Sequence, residues 1–123
     1  MGAALLVFFG GGLGALLRHG VNRLAFVAWG PTFPAGTMIV NVVGSFAMGL
    51  LIGLFASQPG VSQPTRLFLT TGLLGGFTTF SAFSLDALTL YERGQVWLAL
   101  VYVAGSVILS LAAIAAGYFL VRP

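Results

Sequence analysis

The sequence predicts an all-α integral membrane protein of four transmembrane helices, the third of them broken near its middle. Three observations carry this. Charged residues make up 6% of the 123 positions and hydrophobic residues 59%, against about 25% charged residues in a soluble domain. The apolar residues fall in four long runs that can each cross a hydrocarbon layer about 30 Å thick. Those runs are continuous rather than alternating, which selects helices over the strands of a closed barrel.

The same composition excludes whole classes of function. Five basic and two acidic residues are too few to solvate a soluble enzyme, and the apolar content is too high for a disordered chain. There is no Cys and one His, so no disulfide framework, thiol chemistry or His cluster for a metal is expected. All five basic residues are Arg; without Lys there is neither a P-loop lysine nor a Schiff base. The Arg residues are scattered, which argues against a nucleic-acid partner, since that requires a clustered basic patch. No positive n-region precedes the first apolar run, so it reads as an uncleaved span.

One membrane domain covers the chain, with spans at about 2–28, 36–56, 66–90 and 96–121. The run from Gly2 to Leu17 would reach only about 24 Å as a helix. It must therefore continue to Ala28, enclosing Arg18 and His19, before Trp29-Gly30-Pro31 stops it. Ser57-Gln58-Pro59-Gly60 ends the second span, and Tyr91-Glu92-Arg93-Gly94-Gln95 is the turn after the third. Trp97 and Tyr118 mark the two ends of the fourth.

Polar residues inside lipid are costly and mark function or helix contacts. The second span places Thr37, Asn41, Ser45, Gly49 and Gly53 at every fourth position, hence on one face. That face reads either as a packing seam with Asn41 as interhelical glue, or as a functional surface. In the fourth span Tyr102, Ser106 and Ser110 form a hydroxyl stripe. Single hydroxyls in membrane helices commonly bond their own backbone; three in line are consistent with a lined path.

The third span is the most informative. It reads Thr70-Thr71-Gly72-Leu73-Leu74-Gly75-Gly76-Phe77-Thr78-Thr79-Phe80-Ser81-Ala82-Phe83-Ser84. Gly72, Gly75 and Gly76 weaken the helix while the hydroxyls offer the backbone other partners, so the interruption is expected at these glycines. A broken helix offers carbonyls to cations and N–H groups to anions, and survives in a membrane only where buried in protein or lining an aqueous cavity. Phe80 and Phe83 follow three apart on one face. Two Phe are ordinarily lipid or core contacts; beside a break and a hydroxyl cluster they also become candidate liners. Spans one, two and four hold no carboxylate, Asp86 lying near the end of span three and Glu92 in a loop. The remaining groups are amide N–H, hydroxyls, Arg18 and the positive edges of aromatic rings, which suit a small anion. Two decoys are set aside. Gly10-Gly11-Gly12-Leu13-Gly14-Ala15 matches a dinucleotide pattern, but lacks the strand before it and the acid after it, so it reads as a close-packing face. Arg18 and His19 have no nucleophile beside them, and Arg18 can equally snorkel to the interface.

Four spans put both termini on one side, with Arg66 and Arg122; Arg18, Arg23 and Arg93 fall on the other. A bias of one residue is weak. It fits either a simply weak topology signal or a chain that inserts both ways and pairs with an inverted copy.

Three stretches then show a resemblance: Gly11-Gly12-Leu13-Gly14-Ala15-Leu16-Leu17-Arg18, Gly36-Thr37-Met38-Ile39-Val40-Asn41-Val42-Val43-Gly44-Ser45-Phe46, and Gly75-Gly76-Phe77-Thr78-Thr79-Phe80-Ser81-Ala82-Phe83-Ser84. Over its whole length the chain resembles the Fluc/CrcB fluoride channels. The resemblance implies an antiparallel, dual-topology homodimer in the bacterial inner membrane, exporting fluoride passively and so relieving its toxicity. It implies a central structural sodium ion on the backbone carbonyls of Gly75 and Thr78 from both subunits. It also implies a fluoride pathway of Asn41, Phe80, Phe83, Ser81, Tyr102, Ser106 and Ser110, with Thr37 on the vestibule side and Arg18 matching the arginine that ends the first stretch. Ala82 stands where the family often has Thr, and Asp86 where it often has Glu; both departures bear on the ends of the pathway and on conduction rate. Two rival readings are a small four-span multidrug exporter and a non-conducting membrane subunit or assembly factor. The exporter would need an embedded carboxylate, usually in span one, where there is none; the subunit would need no broken helix beside hydroxyl stripes.

Overall fold

The protein is described by a computed structural model covering residues 2–122; Met1 and Pro123 lie outside the described residues. The elements are α1 (Gly2–Trp29), α2 (Ala35–Ser57), α3 (Gln63–Leu67), a π-helical stretch (Phe68–Leu74), α4 (Gly75–Phe77), α5 (Ser81–Glu92) and α6 (Val96–Val121). The third span is thus composite, with a leading half from Gln63 to Phe77 and a trailing half formed by α5. Four helical segments are long and apolar enough to cross a membrane, and no strand occurs among the described residues.

The ends of the helices follow from local chemistry. Gly30 takes φ +75° and returns its N–H to the Phe26 carbonyl at 2.7 Å, a left-handed cap that a side chain would strain. Gly94, at φ +79°, closes α5 in the same region: its N–H reaches the Tyr91 carbonyl and the Gln95 N–H that of Leu90, both at 2.9 Å. Ser62 caps α3 by accepting the Thr65 N–H at 3.3 Å, with Pro64 in the first turn.

Glycines decide how closely the helices approach. α1 packs along the leading half of the third span and α2 along α6. A Cβ at Gly14 would overlap the Leu73 carbonyl and the Phe77 amide, and one at Gly76 the Gly11 carbonyl. Across the other pair, a Cβ at Gly49 would overlap the Ile114 carbonyl, and one at Gly117 the Phe46 carbonyl. The helices therefore meet backbone to backbone, as small residues permit in membranes. The Gly-rich stretch near the N-terminus is accordingly a packing face.

The break lies further along the chain than the glycines suggest. Gly72, Gly75 and Gly76 remain helical, and the chain departs at Thr78, which is extended (φ −89°, ψ 160°), resuming at Ser81. Gly72 and Gly76 serve the contact with α1; the interruption arises where α2 supplies competing hydrogen bonds. Beneath the break a small core forms from Phe83, Leu90, Ala99 and Tyr102, covered by Phe33 and Met38. Much of the remaining apolar surface is exposed along α1 and α6, as expected of faces turned to lipid or to another chain.

Candidate functional site

A side chain of α2 clamps the break. Asn41, half-buried on α2, donates Nδ2–H to the Thr79 carbonyl at 2.9 Å and accepts the Thr79 N–H on Oδ1 at 2.8 Å. In a continuous helix that N–H would return to the Gly75 carbonyl four residues back. Asn41 takes it instead, leaving the Gly75 carbonyl without its helical donor. Thr79 also starts the trailing half, since its Oγ1 accepts the Ala82 N–H at 3.2 Å in the manner of an N-cap. On the other side of the break, the Gly76 carbonyl accepts Arg18 Nε–H at 3.0 Å. The hydroxyl of Thr78 turns back to the Leu74 carbonyl at 2.9 Å.

An open groove of about 380 Å³ lies against this break, between α2, the third span and α6. Its polar lining includes Asn41, Ser45, Thr78, Thr79, Ser106 and Ser110, and its aromatic lining is Phe80 and Phe83. The two rings pack edge-on, centroids 5.5 Å apart at 60°. Phe83 is buried and leans on Tyr102 at 5.3 Å, whereas Phe80 is 77% exposed. Ser106 is buried, and its Oγ has no hydrogen-bond partner.

The sequence-derived residues thus divide. Asn41, Phe80, Phe83, Ser106 and Ser110 meet at the groove, and Thr78 lies on its wall. Tyr102 is fully buried below it and donates its hydroxyl to Asp86 Oδ2 at 3.0 Å. Thr37 is buried beside that hydroxyl, continuing the polar line away from the groove. Ser81 is exposed at the start of α5, its Oγ 3.4 Å from Thr79 Oγ1. Gly75 is exposed, and Arg18 stands on the α1 side of the third span, outside the groove lining. The sequence reading missed Thr79 as the residue clamped by Asn41, and the link from Tyr102 to Asp86. Both join residues of different helices and had no local signal in the sequence.

Fold and groove together define a multi-pass membrane protein with a polar, aromatic-edged groove at a broken helix. The chain belongs to the CrcB-like family: the family model described as "CrcB-like protein, Camphor Resistance (CrcB)" matches residues 5–118. Curated relatives align over nearly the whole chain. It is 55% identical to "Fluoride-specific ion channel FluC 2" of Nitrobacter hamburgensis, covering 96% of this chain and 95% of that one. It is 58% identical to "Fluoride-specific ion channel FluC" of Rhodopseudomonas palustris strain BisB5, with 96% and 95% covered. A third relative of the same name, from Methylobacterium nodulans, is 58% identical, with 96% and 94% covered. The names of these relatives describe ion channels rather than enzymes.

Proposed function

We propose that this protein is a passive fluoride-selective channel, not an enzyme, and that it lets fluoride leave the cytoplasm across the bacterial inner membrane. The observation that carries the reading is the groove: Asn41, Ser106, Ser110 and the edges of Phe80 and Phe83 converge beside a broken helix, in a chain whose relatives bear the names of fluoride-specific channels. The Ser106 hydroxyl lies in the groove wall, buried and without a hydrogen-bond partner; in this reading it turns its donor to the anion as the ion passes. Asn41 spends one Nδ2–H on Thr79 and keeps the other free. The ring edges carry partial positive charge. Neutral amides, hydroxyls and ring edges replace part of a hydration shell without the full charge that would trap the ion. Ser81 would extend the track at the mouth of the groove, and Tyr102 and Thr37 in the direction of Asp86. The cellular benefit follows from acid–base chemistry: neutral hydrogen fluoride enters through lipid and ionises inside, and a channel releases the trapped anion down its gradient.

The active form in this reading is an antiparallel, dual-topology homodimer. A 77% exposed Phe80 on one wall of an open groove leaves the pathway incomplete in a single chain, and an inverted copy would cover it. The near-balanced Arg distribution supports the same arrangement. A structural sodium ion fits the backbone at the break. Asn41 has removed the helical donor of the Gly75 carbonyl, Thr78 is extended, and no group of three or more His, Cys, Asp or Glu occurs among the described residues. Gly75 and Thr78 of two chains would offer four carbonyl oxygens, a set suited to a hard monovalent cation. Bound there, sodium would supply the charge that pins the two broken helices together.

Liposomes containing only this purified chain test the proposal. Fluoride should be released far faster than chloride, without nucleotide and without a proton gradient. Equal chloride release, or release that stops when the proton gradient is abolished, would overturn it.

A further inference from the structure

Gly10, Gly14 and Arg18 fall at every fourth position of α1, and so on one face. The two glycines bring α1 into backbone contact with the leading half of the third span: Gly10 meets Gly72 and Leu73, and Gly14 meets Leu73, Gly76 and Phe77. One turn further, the same face presents a half-buried guanidinium, whose Nε–H donates to the Gly76 carbonyl at 3.0 Å. In an unbroken helix the Phe80 N–H would occupy that carbonyl; the extended Thr78 removes it. Arg18 therefore does for Gly76 what Asn41 does for Thr79: it satisfies a backbone group that the break has orphaned. A cation at the end of a helix, bonded to a terminal carbonyl, is favoured by both the hydrogen bond and the helix dipole.

We propose that Arg18 is a positioning residue. It caps the leading half of the third span and, with Asn41, fixes the conformation of the break from two flanking helices. The directions of the Gly75 and Thr78 carbonyls, and the placement of Phe80 at the head of the trailing half, depend on this pair. Arg18 acts on conduction through the backbone of the break rather than by meeting the anion, since the groove is lined by α2, the third span and α6 and by no residue of α1. Only the conduction part of this inference rests on the channel reading.

Hydrogen exchange read by mass spectrometry, on the purified full-length protein in lipid nanodiscs, tests it alongside fluoride efflux from liposomes. In Arg18→Gln the amides of residues 75–80 should exchange about ten-fold faster, the change expected on losing a hydrogen bond to a charged donor. The α2 and α6 amides should be unchanged, and fluoride efflux should fall. Arg18→Lys keeps the charge but loses the fixed guanidinium geometry, and should show the same local exchange increase in milder form. Unchanged exchange at residues 75–80 in both variants, with efflux lost only when the charge is lost, would overturn the proposal and return Arg18 to the pathway. Should Arg18→Gln loosen every helix, Arg18→Lys decides alone: a rise confined to residues 75–80 supports the inference and no rise contradicts it. A wild-type protein that does not conduct would refute the channel reading and leave the exchange result to judge Arg18.

Discussion

Replacing Asn41 by Ala should collapse the break and conduction together. The substitution removes two hydrogen bonds at once, Nδ2–H to the Thr79 carbonyl at 2.9 Å and Thr79 N–H to Oδ1 at 2.8 Å. Each orphaned backbone group costs about 1–3 kcal/mol, with the lower half of that range appropriate where water has partial access, so the two together amount to about 2–4 kcal/mol. About 2 kcal/mol already raises the population of an alternative local conformation roughly thirty-fold. That alternative is available: with Asn41 gone, the Thr79 N–H can return to the Gly75 carbonyl and continue the helix, turning Phe80 away from the groove. Asn41→Asp is the informative partner. It still accepts the Thr79 N–H but leaves the Thr79 carbonyl without a donor, and sets a carboxylate in the path of an anion. It should lose about half as much stability as Asn41→Ala and be at least as severely blocked. Thermal unfolding in detergent and fluoride efflux from liposomes measure the two effects separately. An Asn41→Ala protein with wild-type melting temperature and wild-type efflux would refute the clamp.

Other expectations follow from the same geometry. Phe80→Ile with Phe83→Ile keeps most of the apolar volume but removes the ring edges, so the protein should assemble with a stability loss under about 1.5 kcal/mol per site while fluoride efflux drops by orders of magnitude; retained efflux would remove the rings from the pathway. Ser106→Ala removes a buried, unpartnered hydroxyl, so melting temperature should hold or rise while efflux falls, and a clear loss of stability would contradict the assignment. Exchanging sodium for a large organic cation should lower both the melting temperature and the efflux of the wild-type protein, and indifference to sodium would count against the carbonyl site at Gly75 and Thr78. Gly14→Val should disrupt folding, since even its Cβ would overlap the Leu73 carbonyl; normal expression and assembly would refute the packing of α1 on the third span.

The helices were legible because lipid imposes a simple rule, long apolar runs closed by breakers, and Gly30 and Gly94 sit where such stops require a left-handed residue. The polar faces were legible for the same periodic reason: Asn41 and Ser45 reach the groove from one stripe of α2 and Ser106 and Ser110 from one stripe of α6. The position of the break was not. Local propensity pointed to Gly72, Gly75 and Gly76, but glycine in a packed membrane helix is also what allows a neighbour's backbone to approach, and α1 makes that use of Gly72 and Gly76. The chain breaks where a distant side chain, Asn41, outcompetes the helix for Thr79, and a separation of 38 residues leaves no local trace. The bonds from Arg18 to Gly76 and from Tyr102 to Asp86 were hidden for the same reason. They depend on which helices are neighbours, and that is settled by close packing rather than by hydropathy.

The most direct test of the central claim is the reversal potential of single channels of this protein in a planar bilayer, with fluoride and chloride gradients imposed in opposite directions. A selective passive pathway built from amides, hydroxyls and ring edges predicts a reversal potential that follows the fluoride gradient alone and does not move when chloride or pH is changed on one side. A reversal potential that follows chloride, or one that shifts with the proton gradient, would contradict it.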